Sequence, residues 1–179
     1  MILAMLLALL SAQADSSMAF DKTLFTGNIS FQVHCDNNSS LNRLTIKPKG
    51  LQGSNKEIYL EADGAVTGAQ IGDINHDGSP ELYIYINSAG SGSYGSLVAY
   101  SADHNKSLSL IHLKEMTKKQ MEDWGYMGHD GFKLGRNSLD RSFPVYKKGD
   151  NNANPSGGIK VLHYKLSSEE ATWQLKLSK

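Results

Sequence analysis

Leu82-Tyr83-Ile84-Tyr85-Ile86-Asn87 is followed by Ser88-Ala89-Gly90-Ser91-Gly92-Ser93-Tyr94-Gly95 and then by Ser96-Leu97-Val98-Ala99-Tyr100. The first segment alternates between two faces, with Leu82, Ile84 and Ile86 on one face and the two tyrosines on the other, as in a β-strand. The second segment is rich in Gly and Ser, and the third reads as another strand. We therefore predict a β-hairpin whose tip is the Gly- and Ser-rich loop.

Short alternations of apolar and polar residues recur along the chain. They predict strands at residues 29–35, 41–46, 57–62, 81–86, 96–100, 109–113, 159–166 and 172–177. Gly, Asn and Asp lie between them, as turns require. One short helix is expected at residues 117–124, because Thr117 and Gln120 have the spacing of a capping box. These elements predict an all-β fold, an antiparallel β-sandwich of about eight strands with one short helix.

Length, charge and the first residues limit the class of protein. The 179 residues suit one domain. Eighteen Lys and Arg balance eighteen Asp and Glu, so no net charge attracts nucleic acid or an anionic membrane. Residues 1–14 carry no charge and end in Ala12-Gln13-Ala14, a small-x-small cleavage pattern. We expect a signal peptide at residues 1–14, one domain at residues 15–179, and no membrane contact after cleavage.

Familiar catalytic motifs are missing from the sequence. It contains no Gly-x-Ser-x-Gly elbow, His-Glu-x-x-His pair, phosphate-binding loop or Cys-x-x-Cys. Residues 90–95 match Gly-x-Gly-x-x-Gly, but a strand rather than a helix follows them, so they do not indicate a dinucleotide site. The single cysteine, Cys35, is expected to be a buried free thiol. We expect no cofactor and no enzymatic activity.

One segment has residues typical of a cation-binding loop. Asp73, Asn75 and Asp77 alternate along the chain and are followed by Gly78 and Glu81. Oxygen ligands at alternate positions, with glycine at the sharp turn, are typical of calcium loops. The segment occurs once, and Glu81 comes earlier than the twelfth position that an EF-hand requires. The same residues predict an ordinary tight turn before the next strand, and we favour this turn over a metal site.

The sequence resembles the periplasmic inhibitors of invertebrate-type (I-type) lysozyme. The resemblance rests on residues 73–81, on the family's Ser-Gly-x-Tyr motif at Ser91-Gly92-Ser93-Tyr94, and on Arg141-Ser142-Phe143-Pro144-Val145-Tyr146, which is similar to a downstream strand of these inhibitors. It implies an antiparallel β-sandwich inhibitor domain that forms a homodimer in the bacterial periplasm. It also implies that the protein protects the cell wall by binding I-type lysozyme.

The Ser-Gly-Ser-Tyr loop has the chemistry that such an inhibitor needs. A lysozyme cleft contains catalytic carboxylates, and hydroxyl and backbone N–H groups are suitable donors to them. We therefore expect Ser91 to donate to a catalytic carboxylate, Gly92 to allow close approach, and Tyr94 to pack in the cleft or to brace the loop. Ser93 is expected to make a secondary contact.

Two other functions remain open from the residues alone. Asp73, Asn75, Asp77 and Glu81 are compatible with a calcium-dependent adhesive or carbohydrate-binding β module, which chelator sensitivity would distinguish from an inhibitor. A hydrolase whose site is assembled in space from a serine and one of the six histidines is also open. The class of lysozyme is open too, since related inhibitors act on goose-type or chicken-type enzymes.

Overall fold

The computed structural model describes residues 19–169 and 172–178, and the expected signal peptide at residues 1–14 lies outside them. This part of the chain forms twelve strands and one short helix. In chain order the elements are β1 (Phe20–Thr26), β2 (Ile29–Cys35), β3 (Leu41–Lys49), β4 (Ile58–Asp63), β5 (Ala65–Gly72), β6 (Glu81–Asn87), β7 (Gly95–Asp103), β8 (Ser107–Leu113), α1 (Lys118–Asp123), β9 (Gly131–Leu134), β10 (Leu139–Pro144), β11 (Ile159–Glu169) and β12 (Thr172–Leu177).

The strands form two sheets. The smaller sheet has the order β1-β2-β3-β4, and the larger has the order β5-β6-β7-β8-β12-β11-β10-β9. Neighbouring strands are antiparallel except β8 and β12, which run parallel. The larger sheet curls so that its two edges approach each other. This is shown by Phe132 of the edge strand β9, whose ring stacks on that of Tyr85 in β6 with centroids 5.8 Å apart. Its shape is therefore close to that of a closed barrel.

Strand β6 lies between two hydrophobic cores. Leu82, Ile84 and Ile86 are buried against the smaller sheet, whose core residues include Phe31, Val33, Leu44 and Ile46. Tyr83 and Tyr85 point to the opposite side, into the interior of the curled sheet, together with Leu139, Phe143, Tyr164 and Leu175. The alternation in the sequence therefore places β6 correctly, with both of its faces buried.

The all-β prediction is confirmed, and all eight predicted strands are present. The expected number of about eight is nevertheless too low, because the structure adds β1, β5, β9 and β10. Two glycines interrupt the apolar pattern of β5, and a bulge between Val66 and Gly68 shifts its register against β6. Strand β9 has only 4 residues. Strand β10 covers most of the segment whose resemblance to a family strand was noted above.

Helix α1 and Cys35 also agree with the sequence predictions. The Thr117 hydroxyl accepts the N–H of Gln120 at 3.2 Å, and the Gln120 side chain accepts the N–H of Thr117 at 2.9 Å, which is the expected capping box. Gly125 follows the helix with φ of +58°. Cys35 is a buried free thiol. Within the described residues, no helix has the length and apolarity needed to cross a membrane.

Replacing Leu82 tests the position of β6 between the cores. Leu82 is fully buried, so Leu82→Ala should lower the free energy of unfolding by about 2–5 kcal/mol through lost burial and a residual cavity. Leu110 of β8 is 45% exposed, and Leu110→Ala should change it by less than about 0.5 kcal/mol. Urea unfolding of both variants measures the difference. Equal losses would contradict the assignment of Leu82 to the core.

Candidate functional site

The Ser-Gly-Ser-Tyr segment lies at the tip of the β6–β7 hairpin, as predicted. The N–H of Ser88 donates to the Tyr94 carbonyl at 2.9 Å, and the Ser88 hydroxyl accepts the N–H of Tyr94 at 3.0 Å. Within the tip, the N–H of Ser93 donates to the Gly90 carbonyl at 3.2 Å. Gly90 has φ of +117°, a conformation that glycine adopts at little cost. The tip is therefore a turn with its own hydrogen bonds.

Two neighbouring loops form hydrogen bonds with the backbone of the tip. The N–H of His129 donates to the Gly92 carbonyl at 2.8 Å, and the side-chain amide of Asn152 donates to the Ser91 carbonyl. Gly128 packs directly beneath, since a Cβ there would lie 2.2 Å from the Gly92 oxygen. A trans peptide places its N–H opposite its carbonyl. Because the Ser91 carbonyl faces Asn152, the Gly92 N–H points away from Asn152.

The side chains of the tip face both the protein and the solvent. Ser91 is exposed, and Tyr94 is 51% exposed. The Tyr94 ring meets the Tyr126 ring edge to face at 5.9 Å, and Tyr126 in turn packs on Phe143 at 4.8 Å. A Cβ on Gly92 would lie 2.4 Å from the Tyr94 ring. Glycine at position 92 therefore allows Tyr94 to fold back over the loop while half of its surface stays accessible.

A buried ion pair lies beneath the hairpin. The side chain of Arg141 on β10 is 4% exposed and that of Asp130 is 0% exposed. The Arg141 Nε donates to Asp130 Oδ1 at 2.7 Å. The other oxygen, Oδ2, accepts the N–H of Gly95 at 2.9 Å and the hydroxyl of Tyr126 at 2.6 Å. A single carboxylate therefore connects the end of the hairpin loop, the arginine and the aromatic support of Tyr94.

The surroundings of this network determine which members carry a charge. Burial, followed by the hydrogen bond to Asp130, raises the pKa of the Tyr126 hydroxyl. Burial alone would lower the pKa of Arg141, but the hydrogen bond and the charge of Asp130 outweigh it and raise the pKa. Tyr126 therefore remains a neutral donor to Asp130, and its oxygen accepts from Arg141 Nη2 at 3.0 Å.

Sequence reasoning found the tip but missed its support. Asp130, Tyr126, His129 and Asn152 lie in segments without a recognised motif, and Arg141 entered only as the first residue of a strand-like segment. One usable signal was the close spacing of Gly125, Gly128 and Gly131, since clustered glycines indicate close approach of backbones. The partners of those glycines depend on the tertiary fold.

The acidic loop, residues 73–81, connects β5 to β6. The Asp73 carboxylate accepts the N–H groups of Asp77 and Gly78 at 3.1 and 3.0 Å, which confirms the predicted tight turn. One oxygen each from Asp73, Asp77 and Glu81 lies within 4.8 Å of the others. The amide of Asn75 donates to Asp77 Oδ2 at 2.9 Å. The fold therefore brings the four calcium candidates of the sequence together.

Glu81 is the buried member of the acidic loop. Its Oε2 accepts the N–H of Ile74 at 2.9 Å and the hydroxyl of Tyr83 at 3.3 Å. Its Oε1 is also buried and has no hydrogen-bond partner in the described part of the chain. Burial, together with the charges of Asp73 and Asp77, raises the pKa of Glu81 to about 8. The fold thus holds an acidic group where its charged form is poorly stabilised.

A family model matches residues 55–124 of the chain, and its description is periplasmic lysozyme inhibitor of I-type lysozyme. The match confirms the resemblance found in the sequence, over somewhat less than half of the chain. It spans both the acidic loop and the hairpin tip and ends before Asp130 and Arg141. The matched family is one of periplasmic inhibitors and not of enzymes. No curated protein and no solved structure matches the chain.

Replacing Arg141 tests the support of the hairpin. Arg141→Met leaves the Asp130 carboxylate buried without its cation, which should lower the free energy of unfolding by about 3–5 kcal/mol. Lys119→Met removes one member of the exposed pair with Asp123 and should leave Tm nearly unchanged. Combining Arg141→Met with Asp130→Asn removes the unpaired charge and keeps an oxygen for the Gly95 N–H and the Tyr126 hydroxyl, so it should recover part of the loss. Equal Tm values for Arg141→Met and Lys119→Met would contradict this account.

Proposed function

We propose that this protein, whose residues 55–124 match the periplasmic inhibitors of I-type lysozyme, binds an I-type lysozyme and blocks its active-site cleft with the β6–β7 hairpin. The observation that carries the proposal is the tip itself. It lies within the matched segment, projects an exposed serine and a half-exposed tyrosine, and is held from below by two loops and a buried ion pair.

The tip presents hydrogen-bond donors that suit a lysozyme cleft. The Ser91 side chain is exposed, and its hydroxyl makes no hydrogen bond within the described residues. The Gly92 N–H points away from Asn152. The cleft of a lysozyme contains carboxylates, and hydrogen bonds to a carboxylate are roughly twice as strong as those between neutral groups. Ser91 and Gly92 therefore donate to a catalytic carboxylate.

The supporting contacts prepare the tip for binding. The carbonyls of Ser91 and Gly92 are already bonded to Asn152 and His129, so binding orders little additional chain and loses little conformational entropy. Tyr94 rests on Tyr126 and offers its accessible face as an aromatic contact in the substrate cleft. Ser93 makes a secondary contact.

The charges around the hairpin also suit an acidic cleft. Asp130, the acidic group directly beneath the tip, is buried and paired with Arg141. A shallow groove that includes Tyr126 is lined by three lysines, Lys118, Lys147 and Lys148, and by one acidic residue, Glu122. Positive groups beside the contact surface favour association with a partner whose cleft is negative.

A lysis assay tests the proposed function. The purified protein is titrated against I-type, chicken-type and goose-type lysozymes on cells with exposed peptidoglycan. Selective and saturable inhibition of the I-type enzyme is expected, whereas inhibition of none of the three would overturn the proposal.

Two further measurements test the homodimer and the signal peptide that the sequence predicts. Analytical ultracentrifugation of the same preparation tests the homodimer that the resemblance implies. N-terminal sequencing of exported protein tests cleavage after Ala14.

Removing the side chains of the tip should weaken inhibition. Ser91→Ala combined with Tyr94→Ala should raise the inhibition constant more than tenfold, equivalent to about 1.4 kcal/mol or more, because a donor and an aromatic contact are lost. The matched control combines Ser54→Ala with Tyr59→Ala, two exposed residues outside the hairpin, and should inhibit normally. If the doubly substituted tip also inhibits normally, the assignment of the hairpin is wrong.

Asn152 tests whether the tip is positioned before binding. Asn152→Asp keeps an oxygen for the His129 ring but removes the donor to the Ser91 carbonyl. We expect it to weaken inhibition about threefold to tenfold, or about 0.7–1.4 kcal/mol, at unchanged Tm. Asn154→Asp in the same loop contacts Asn151 instead and serves as the control. Unaltered inhibition by Asn152→Asp would show that the hydrogen bond from Asn152 to the Ser91 carbonyl does not contribute to inhibition.

A further inference from the structure

The acidic loop, residues 73–81, is not explained by the proposed inhibition. It lies at the beginning of β6, whereas the hairpin tip follows the end of β6. A strand of 7 residues extends about 23 Å at roughly 3.3 Å per residue. A group bound in the acidic loop would therefore not touch the surface proposed to enter the lysozyme cleft.

The spacing of the carboxylates matches the shell of a calcium ion. One oxygen each from Asp73, Asp77 and Glu81 lies within 4.8 Å of the others. Calcium binds oxygen at about 2.3–2.6 Å, so two ligands on opposite sides of the ion are roughly 4.6–5.2 Å apart. The three oxygens are thus close enough to contact one ion.

Glu81 provides a second, independent observation. Its side chain is fully buried, and Oε1 is left without a hydrogen-bond partner among the described residues. A buried carboxyl oxygen without a partner is costly, since buried polar atoms normally form a hydrogen bond or coordinate a metal. The loop hydrogen bonds to Asp73 and Asp77 explain the turn, but they do not explain why a carboxylate is buried behind it.

We propose that Asp73, Asp77 and Glu81, joined by the amide oxygen of Asn75, bind one calcium ion. Without the ion, the Asn75 amide donates to Asp77 Oδ2 at 2.9 Å and its oxygen accepts the Asp77 N–H at 3.3 Å. A half-turn of the amide turns its oxygen toward the ion, and the Asp77 N–H keeps its hydrogen bond to Asp73 Oδ1 at 3.1 Å. The oxygen-only ligand set selects a hard cation. Calcium accepts irregular sets with several carboxylates, whereas magnesium demands a near-ideal octahedron and retains waters.

The bound ion stabilises the connection between β5 and β6. His76 in the same loop contacts the Asn137 side chain, between β9 and β10, at 2.9 Å. An ordered loop therefore also fastens the two edges of the curled sheet where they approach each other. Calcium in this position is structural, so its removal lowers stability without directly removing a contact to lysozyme.

Titration calorimetry tests whether the acidic loop binds calcium. The full-length protein is first stripped of metal with EGTA and dialysed. Calcium chloride should bind with a stoichiometry of one ion per chain, and at about 100 times Kd it should raise Tm by roughly 5–10 °C. Calcium modules outside the cytosol bind at about 0.1–1 mM, so absence of both heat and a Tm shift at about 5 mM calcium overturns the proposal. Equal affinity for magnesium also overturns the assignment to calcium.

Two variants and a control identify the ligands. Asp77→Asn changes an exposed side chain and should weaken calcium binding more than tenfold; Glu81→Gln should do the same. Asp63→Asn alters an exposed acid at the end of β4 and should bind calcium like the unmodified protein. Unchanged affinity in Asp77→Asn contradicts the site even if Glu81→Gln fails to fold. Inhibition assayed at low temperature should survive in Asp77→Asn, which separates this proposal from the proposed function.

Discussion

The position of the hairpin depends on the ion pair between Arg141 and Asp130. Arg141 projects from β10, Asp130 directly precedes β9, and the same carboxylate binds the N–H of Gly95 where β7 begins. A buried ion pair contributes little net stability, because desolvation offsets the attraction, but breaking it is costly. We infer that the ion pair fixes positions rather than adding stability. The three segments that meet at this carboxylate can do so in only one arrangement, which sets the position of the hairpin.

The organisation of the molecule follows from the two faces of β6. Its aliphatic face is covered by the smaller sheet, and its tyrosine face requires the larger sheet to curl and enclose it. The same curl brings the segments after α1 and β10 beneath the hairpin, where His129 and Asn152 bind the carbonyls of the tip. Burial of Tyr83 and Tyr85 is thus the packing step that builds the support for the loop.

Sequence patterns could predict the parts of this structure that depend on residues close together in the chain. The alternation of residues 82–86 predicts β6, the spacing of Thr117 and Gln120 predicts the helix cap, and the Ser-Gly-Ser-Tyr segment predicts the hairpin tip. The support could not be predicted, because Asp130 is 35 residues from Gly95 and Asn152 is 61 residues from Ser91. The acidic loop was predictable as a turn, but the burial of Glu81 depends on tertiary packing.

A crystal structure of the protein bound to an I-type lysozyme would show whether the β6–β7 hairpin blocks the active-site cleft. We expect the hairpin tip to occupy the active-site cleft, with the Ser91 hydroxyl within hydrogen-bond distance of a catalytic carboxylate and with Asn152 still bound to the Ser91 carbonyl. A complex in which the tip faces solvent, or in which lysozyme is held through another surface while its cleft stays open, would contradict it.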